Sequence, residues 1–166
     1  MVKKDSVFVD TIKDYLPSDI RDVNHDTEIE HIYYMESKQH LIVMERDAKR
    51  FKVYNAKNGQ LLTSVPTGKT SVTGGSFIAA DLITQVRNKQ TVTYVVTTSS
   101  DNIIKLWDPT TNYQRKDTTN TPVIQLCVKW SGPPLNRIFT AGLEGEIHAY
   151  SIDPDLKDVG KNDNCG

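Results

Sequence analysis

The chain has 166 residues, 37% of them hydrophobic, which is enough for one domain with a real core. Its formal charge of −1 supplies no bulk attraction to nucleic acid or to a membrane surface. No apolar run reaches the roughly 18 residues of a membrane-spanning helix. Charge is unevenly spread: residues 1–30 carry four basic and eight acidic side chains, and residues 144–166 carry two and six. The stretch between them holds fourteen basic and seven acidic groups, a moderately basic middle that reads as a solvated β-surface. Cys127 and Cys165 lack metal-ligand or CxxC spacing. Cys127 lies in an apolar run and is expected to be a small buried hydrophobe, and the expected setting is intracellular and reducing.

Taken in order, residues 1–23 support two readings. Phe8, Ile12, Tyr15 and Leu16 have helical spacing with Pro17 to stop the helix, whereas Val7, Val9 and Thr11 alternate as a strand does. From residue 24 the chain becomes a series of short strands and turns. Ile29, Ile32 and Tyr34 are expected as the buried side of a first strand, and His40–Glu45 (HLIVME) as a second strand covered on both faces. Phe51–Asn55 and Gln60–Val65 follow, separated by the turn Ala56-Lys57-Asn58-Gly59. Ser76–Val86 and Thr91–Thr98 are strands around a polar turn, Arg87–Gln90, and Tyr113–Thr118 suits an outer strand. Pro122–Trp130, Arg137–Ala141 and Glu144–Tyr150 form a third series, and the polar stretch 153–166 is expected to be a disordered acidic tail.

The most regular stretch is Thr97–Asp108, TTSSDNIIKLWD. It reads as a strand end, a tight turn, and a second strand with alternating apolar residues closed by Pro109. Asn102 tolerates the left-handed backbone of such a turn, and Asp101 can accept from nearby amides. This hairpin resembles the signature of the WD-repeat β-propeller family. The resemblance implies a buried hydrogen-bond network built on Ser99, Asp101 and Trp107, with His25 of Asn24-His25 at the family's Gly-His position.

Two further copies fall in phase. Tyr54 occupies the Trp position of the first and Tyr150 that of the third, with Ala48 and Glu144 at the corresponding Asp positions. Tyr54 to Trp107 is 53 residues and Trp107 to Tyr150 is 43, against about 40–45 per blade, so the second repeat carries an insertion. The expected fold is all-β: a partial β-propeller of about three four-stranded antiparallel blades, part of a larger ring. Blade 1 spans 24–67, blade 2 spans 68–119 and blade 3 spans 120–152. Propellers close with four to eight blades. Three blades therefore imply further blades, a second copy, or capping of an open arc. His40–Leu62 also resembles long WD-repeat proteins of ciliary axonemes, which makes the cilium a second expected location beside the cytoplasm.

Catalytic and cofactor signals are weak. Gly68-Lys69-Thr70 lacks the upstream glycine of a phosphate loop, where Thr63 stands. An EF-hand loop starting at Asp153 would need Gly and Glu where Asp158 and Asn164 stand. His25, His31, His40 and His148 have no metal-ligand spacing; His25 reads as structural and the others as strand-surface residues. Ser99, Asp101 and His25 could be imagined as a hydrolase triad, but no G-x-S-x-G elbow surrounds Ser99. The expected role is a non-catalytic scaffold with no cofactor or metal, binding other proteins rather than nucleic acid or membrane. A truncated piece of a larger scaffold and a propeller-based hydrolase are the alternatives. In the family, turns between second and third strands lie on the binding face. Here these are Arg46, Lys49 and Arg50, which would suit an acidic peptide, and Ser100 and Asn102.

Overall fold

Twelve strands are arranged as three consecutive four-stranded meanders in a computed structural model that describes residues 28–67, 74–152 and 157–162. The N-terminal segment 1–23 and His25 lie outside the described residues. The first sheet contains β1 (Ile29–Met35), β2 (His40–Glu45), β3 (Phe51–Asn55) and β4 (Leu61–Val65). The second contains β5 (Phe77–Arg87), β6 (Gln90–Ser99), β7 (Ile103–Asp108) and β8 (Gln114–Asn120). The third contains β9 (Gln125–Trp130), β10 (Arg137–Gly142), β11 (Ile147–Ser151) and β12 (Lys157–Asn162). Every pairing is antiparallel between neighbours in sequence, so short turns suffice. Asn102 takes the left-handed conformation at φ 61°, and Gly145 does the same at φ 83° in the matching turn of the third sheet.

Irregularities repeat along with the strands. In each sheet the first pairing carries a bulge at the second residue of the first strand: Glu30, Ile78 and Leu126. The pairing of third and fourth strands shifts register at Tyr54, Trp107 and Tyr150. A bulge that recurs at the same place in three sheets reflects a shared architecture rather than a local defect. The insertion in the second repeat lies in the hairpin of β5 and β6, which are 11 and 10 residues long against 7 and 6 for β1 and β2. Asn88 and Lys89 turn this hairpin with φ of 50° and 63°.

The second sheet is sandwiched. One face, through Phe77, Val95 and Trp107, packs on Met35, Ile42, Phe51 and Val53 of the first sheet. The other, through Ile83, Val96, Ile104 and Leu106, packs on Val128, Ile138 and Tyr150 of the third. Burial on both faces explains why β6 is an almost continuous buried run rather than an alternating strand. Polar contacts cross the same seams: the Trp130 amide donates to Asp81 at 2.8 Å, and the Phe77 amide to the Ala48 carbonyl at 2.9 Å.

Four expectations are corrected. Ile29, Ile32 and Tyr34 are exposed, because Tyr33 and Met35 face the second sheet and no described sheet lies on the opposite side. Cys127 is exposed: the bulge at Leu126 resets the alternation, so that Gln125 and Val128 point inward instead. His148 is buried, not on the surface, because it lies on the same face of β11 as Tyr150. Part of the stretch read as a disordered tail, Lys157–Asn162, pairs with β11 and supplies the fourth strand of the third sheet.

Candidate functional site

Trp107 stands at the centre of the first seam. Its ring meets Phe51 edge-on at 5.6 Å and 81°, and Phe77 at 6.0 Å and 75°. Its indole N–H donates to the Thr97 hydroxyl at 2.9 Å. Thr97 is the polar partner that the hairpin pattern did not single out. Ser99 and Asp101 form a separate group in the turn above. The Ser99 hydroxyl lies 2.5 Å from an Asp101 carboxylate oxygen and 3.0 Å from the Ile103 carbonyl. Burial alone would raise the Asp101 pKa. The Ser99 hydroxyl, the Gly75 amide and Lys105, whose ammonium is 3.5 Å away, outweigh it and hold the carboxyl below its ordinary value. The carboxylate thus clamps the connection entering β5 onto the β6–β7 turn.

The third sheet builds the same clamp from different residues. Glu144, which stands at the Asp position by spacing, is exposed; the buried carboxylate is that of Glu146. It accepts from Gln125 at 3.0 Å and from the Glu144 amide at 3.1 Å, and Gln125 accepts from the Thr140 hydroxyl at 2.6 Å. Burial pushes the Glu146 carboxyl up, but these donors and His148 draw it below the usual carboxylate range. Gly142 makes room, since a Cβ there would fall 1.4 Å from the Glu146 carboxylate. The only signal for Glu146 in the chain was a second glutamate two residues on, across Gly145.

The three basic residues of the first β2–β3 turn are divided. Arg46 pairs with Glu28 at 2.6 Å and Glu30 at 2.9 Å, clamping the turn to the start of β1. Arg50 donates to the Pro66 carbonyl. Lys49 is exposed and lines a cleft of about 420 Å³ between the first and second sheets. Trp107, Tyr113, Lys105 and Arg115 line it from the other side.

His40 bridges the same seam from below, its Nδ1 2.6 Å from the Tyr113 hydroxyl. Burial, and then nearby Lys38, lowers the imidazole from its ordinary 6.5, while burial raises the phenol. Neutral His40 and the phenol therefore share one hydrogen bond, whose direction is set by the imidazole tautomer. Its contribution to stability is complete above pH 6.5 and is lost as pH falls through the lowered folded-state value. Between about pH 7.5 and about pH 5.5 the melting temperature should fall more for the wild type than for His40→Gln. Equal falls would show that this contact does not carry the pH dependence.

Three antiparallel four-stranded sheets, each placing an aromatic of its third strand on the same side, define a partial β-propeller of WD40 type. The chain is similar to the C-terminal WD40 domain of Sif2, with a TM-score of 0.63 and 12% sequence identity. The likeness covers 87% of this chain and 39% of that one, so this chain spans well under half of the Sif2 domain chain. No protein-family model matches the chain, and no curated protein matches it in sequence. Among the described residues no group of three or more His, Cys, Asp or Glu could hold a metal ion. Among them, too, no helix is long and apolar enough to cross a membrane.

Proposed function

We propose that the chain is a non-catalytic protein-interaction scaffold, an arc of propeller sheets that engages other proteins through its loops and its open end. One observation carries this reading. Residues directly opposite each other across the first sheet form the row Tyr34–Leu41–Tyr54–Leu61, which is apolar from edge to edge. In the matching row of the second sheet, Leu82–Val95–Trp107–Arg115, the first three members pack on the first sheet. The matching row of the third, Trp130–Ile138–Tyr150, packs on the second. Repetition therefore gives the first sheet's row a specific partner, a further four-stranded propeller sheet. Its two ends stand open here, Tyr34 being 53% and Leu61 47% exposed with Ile32 beside them at 60%, while Tyr54 between them is 7% exposed.

A second copy can supply that sheet through the outer face of its β10 and β11, where Phe139 and Ala149 pair. Further blades of a longer protein would present the same chemistry. Light scattering after gel filtration tests the reading on the chain alone. The wild type should run at a multiple of 18.7 kDa with a cooperative melt, and Tyr34→Glu with Leu61→Glu should run at 18.7 kDa with that melt retained. Equal masses for the two proteins would remove the sheet-end face as an interaction surface. Aggregation without a cooperative melt would favour a fragment with no independent function.

A further inference from the structure

The sheet-end row is apolar and lies at one end of the arc. The cleft at the first seam is a separate surface with different chemistry. Its walls carry three cations, Lys49 from the β2–β3 turn, Lys105 from β7 and Arg115 from β8. Lys105 is partly neutralised by Asp101 at 3.5 Å. Lys49 and Arg115 are exposed, and neither has a side-chain partner among the described residues. At about 420 Å³ the cleft is of the size that takes a small ligand or one or two side chains. We infer that this cleft binds a carboxylate side chain of an acidic peptide segment on a protein partner.

Several features favour a peptide carboxylate over other anions. β8 is the edge strand of its sheet, so an extended peptide can lie along it while a side chain reaches into the cleft beside Arg115. Arg115 offers the planar fork that holds a carboxylate by two parallel hydrogen bonds, and Lys49 faces it as a mobile point charge. Nucleic acid suits the site less well. Trp107, packed on Phe51 and Phe77, is only 4% exposed, and Tyr113, packed on Phe51, only 3%, so the aromatic floor leaves little ring surface for a base to stack on. The net charge of −1 also supplies no field to hold a polyphosphate backbone.

The site goes beyond the scaffold reading in naming a partner's chemistry, and its failure would leave the sheet-end face untouched. Fluorescence anisotropy with a labelled hexaglutamate peptide tests it directly, using the full chain with the Tyr34→Glu and Leu61→Glu changes to keep self-association out of the signal. Lys49→Glu with Arg115→Glu should weaken binding by roughly tenfold or more while leaving the melt unchanged, since both side chains are exposed. Lys57→Glu, on the exposed β3–β4 turn, should change binding by less than about twofold. Equal affinity of the Lys49/Arg115 variant, or equal binding of a hexaglutamine peptide, would overturn the proposal. So would displacement by inorganic phosphate well beyond that caused by sodium chloride at matched ionic strength, which would assign the cleft to free phosphate.

Discussion

Trp107→Ala is expected to cost about 3–5 kcal/mol and to lower the melting temperature by on the order of 10 °C. The substitution removes the side chain that fills the first seam between Phe51 and Phe77. It also strands the Thr97 hydroxyl, which is fully buried and loses the indole N–H as its partner. Neither sheet can collapse into the space, because each is held in register by its own ladder. Trp107→Phe keeps much of the volume and should recover more than half of the loss, leaving the missing hydrogen bond as the remainder. A drop below about 1 kcal/mol for the alanine variant would mean that the indole does not fill a packed seam.

Gly75→Ala should be nearly as damaging, at about 2–3 kcal/mol. A Cβ at this position would fall 2.4 Å from the Asp101 amide nitrogen and 2.4 Å from the Ser100 hydroxyl, both in the β6–β7 turn. The obstructing atoms include backbone, so the connection and the turn must separate. The Gly75 amide then loses the Asp101 carboxylate, which remains half-buried with fewer donors. Asp101→Ala should cost about 1–3 kcal/mol by itself, through the donors it leaves unmet. Because both changes break one clamp, the double variant should lose markedly less than the sum of the two. Additive losses would show that the connection and the turn are not energetically coupled.

The parts of this fold that were readable in the chain are those where local chemistry and tertiary structure agree. Asn102 stands where a left-handed turn is required, and Tyr54, Trp107 and Tyr150 recur on the same side of each third strand, the last two facing a neighbouring sheet. The misreadings share a cause, which is that burial in a stack of sheets depends on which sheets are present. Ile32 and Tyr34 have the alternation of a buried face, but the sheet that would bury them is not among those described. Cys127 follows a one-residue bulge, which inverts every later side chain without leaving a mark on hydrophobicity. Glu146 substitutes for Asp101 from a different turn position, using a longer side chain to reach Gln125. Residue spacing cannot show such an exchange, because the same carboxylate can be delivered from two places. Thr97 escaped for a simpler reason: a threonine in a strand is ordinary, and only the geometry makes it the indole's acceptor.

In this arc the second sheet is covered on both faces while the first presents an apolar face to its surroundings. Native-state hydrogen exchange on the dilute wild-type chain tests this most directly. The slowest exchange is expected in β6 and β7, with β6 amides from Tyr94 to Thr98 opening only with the whole molecule, and clearly faster exchange in β1 and β4. Amides of β6 exchanging as fast as those of β1 would contradict the stacked arrangement of the three sheets.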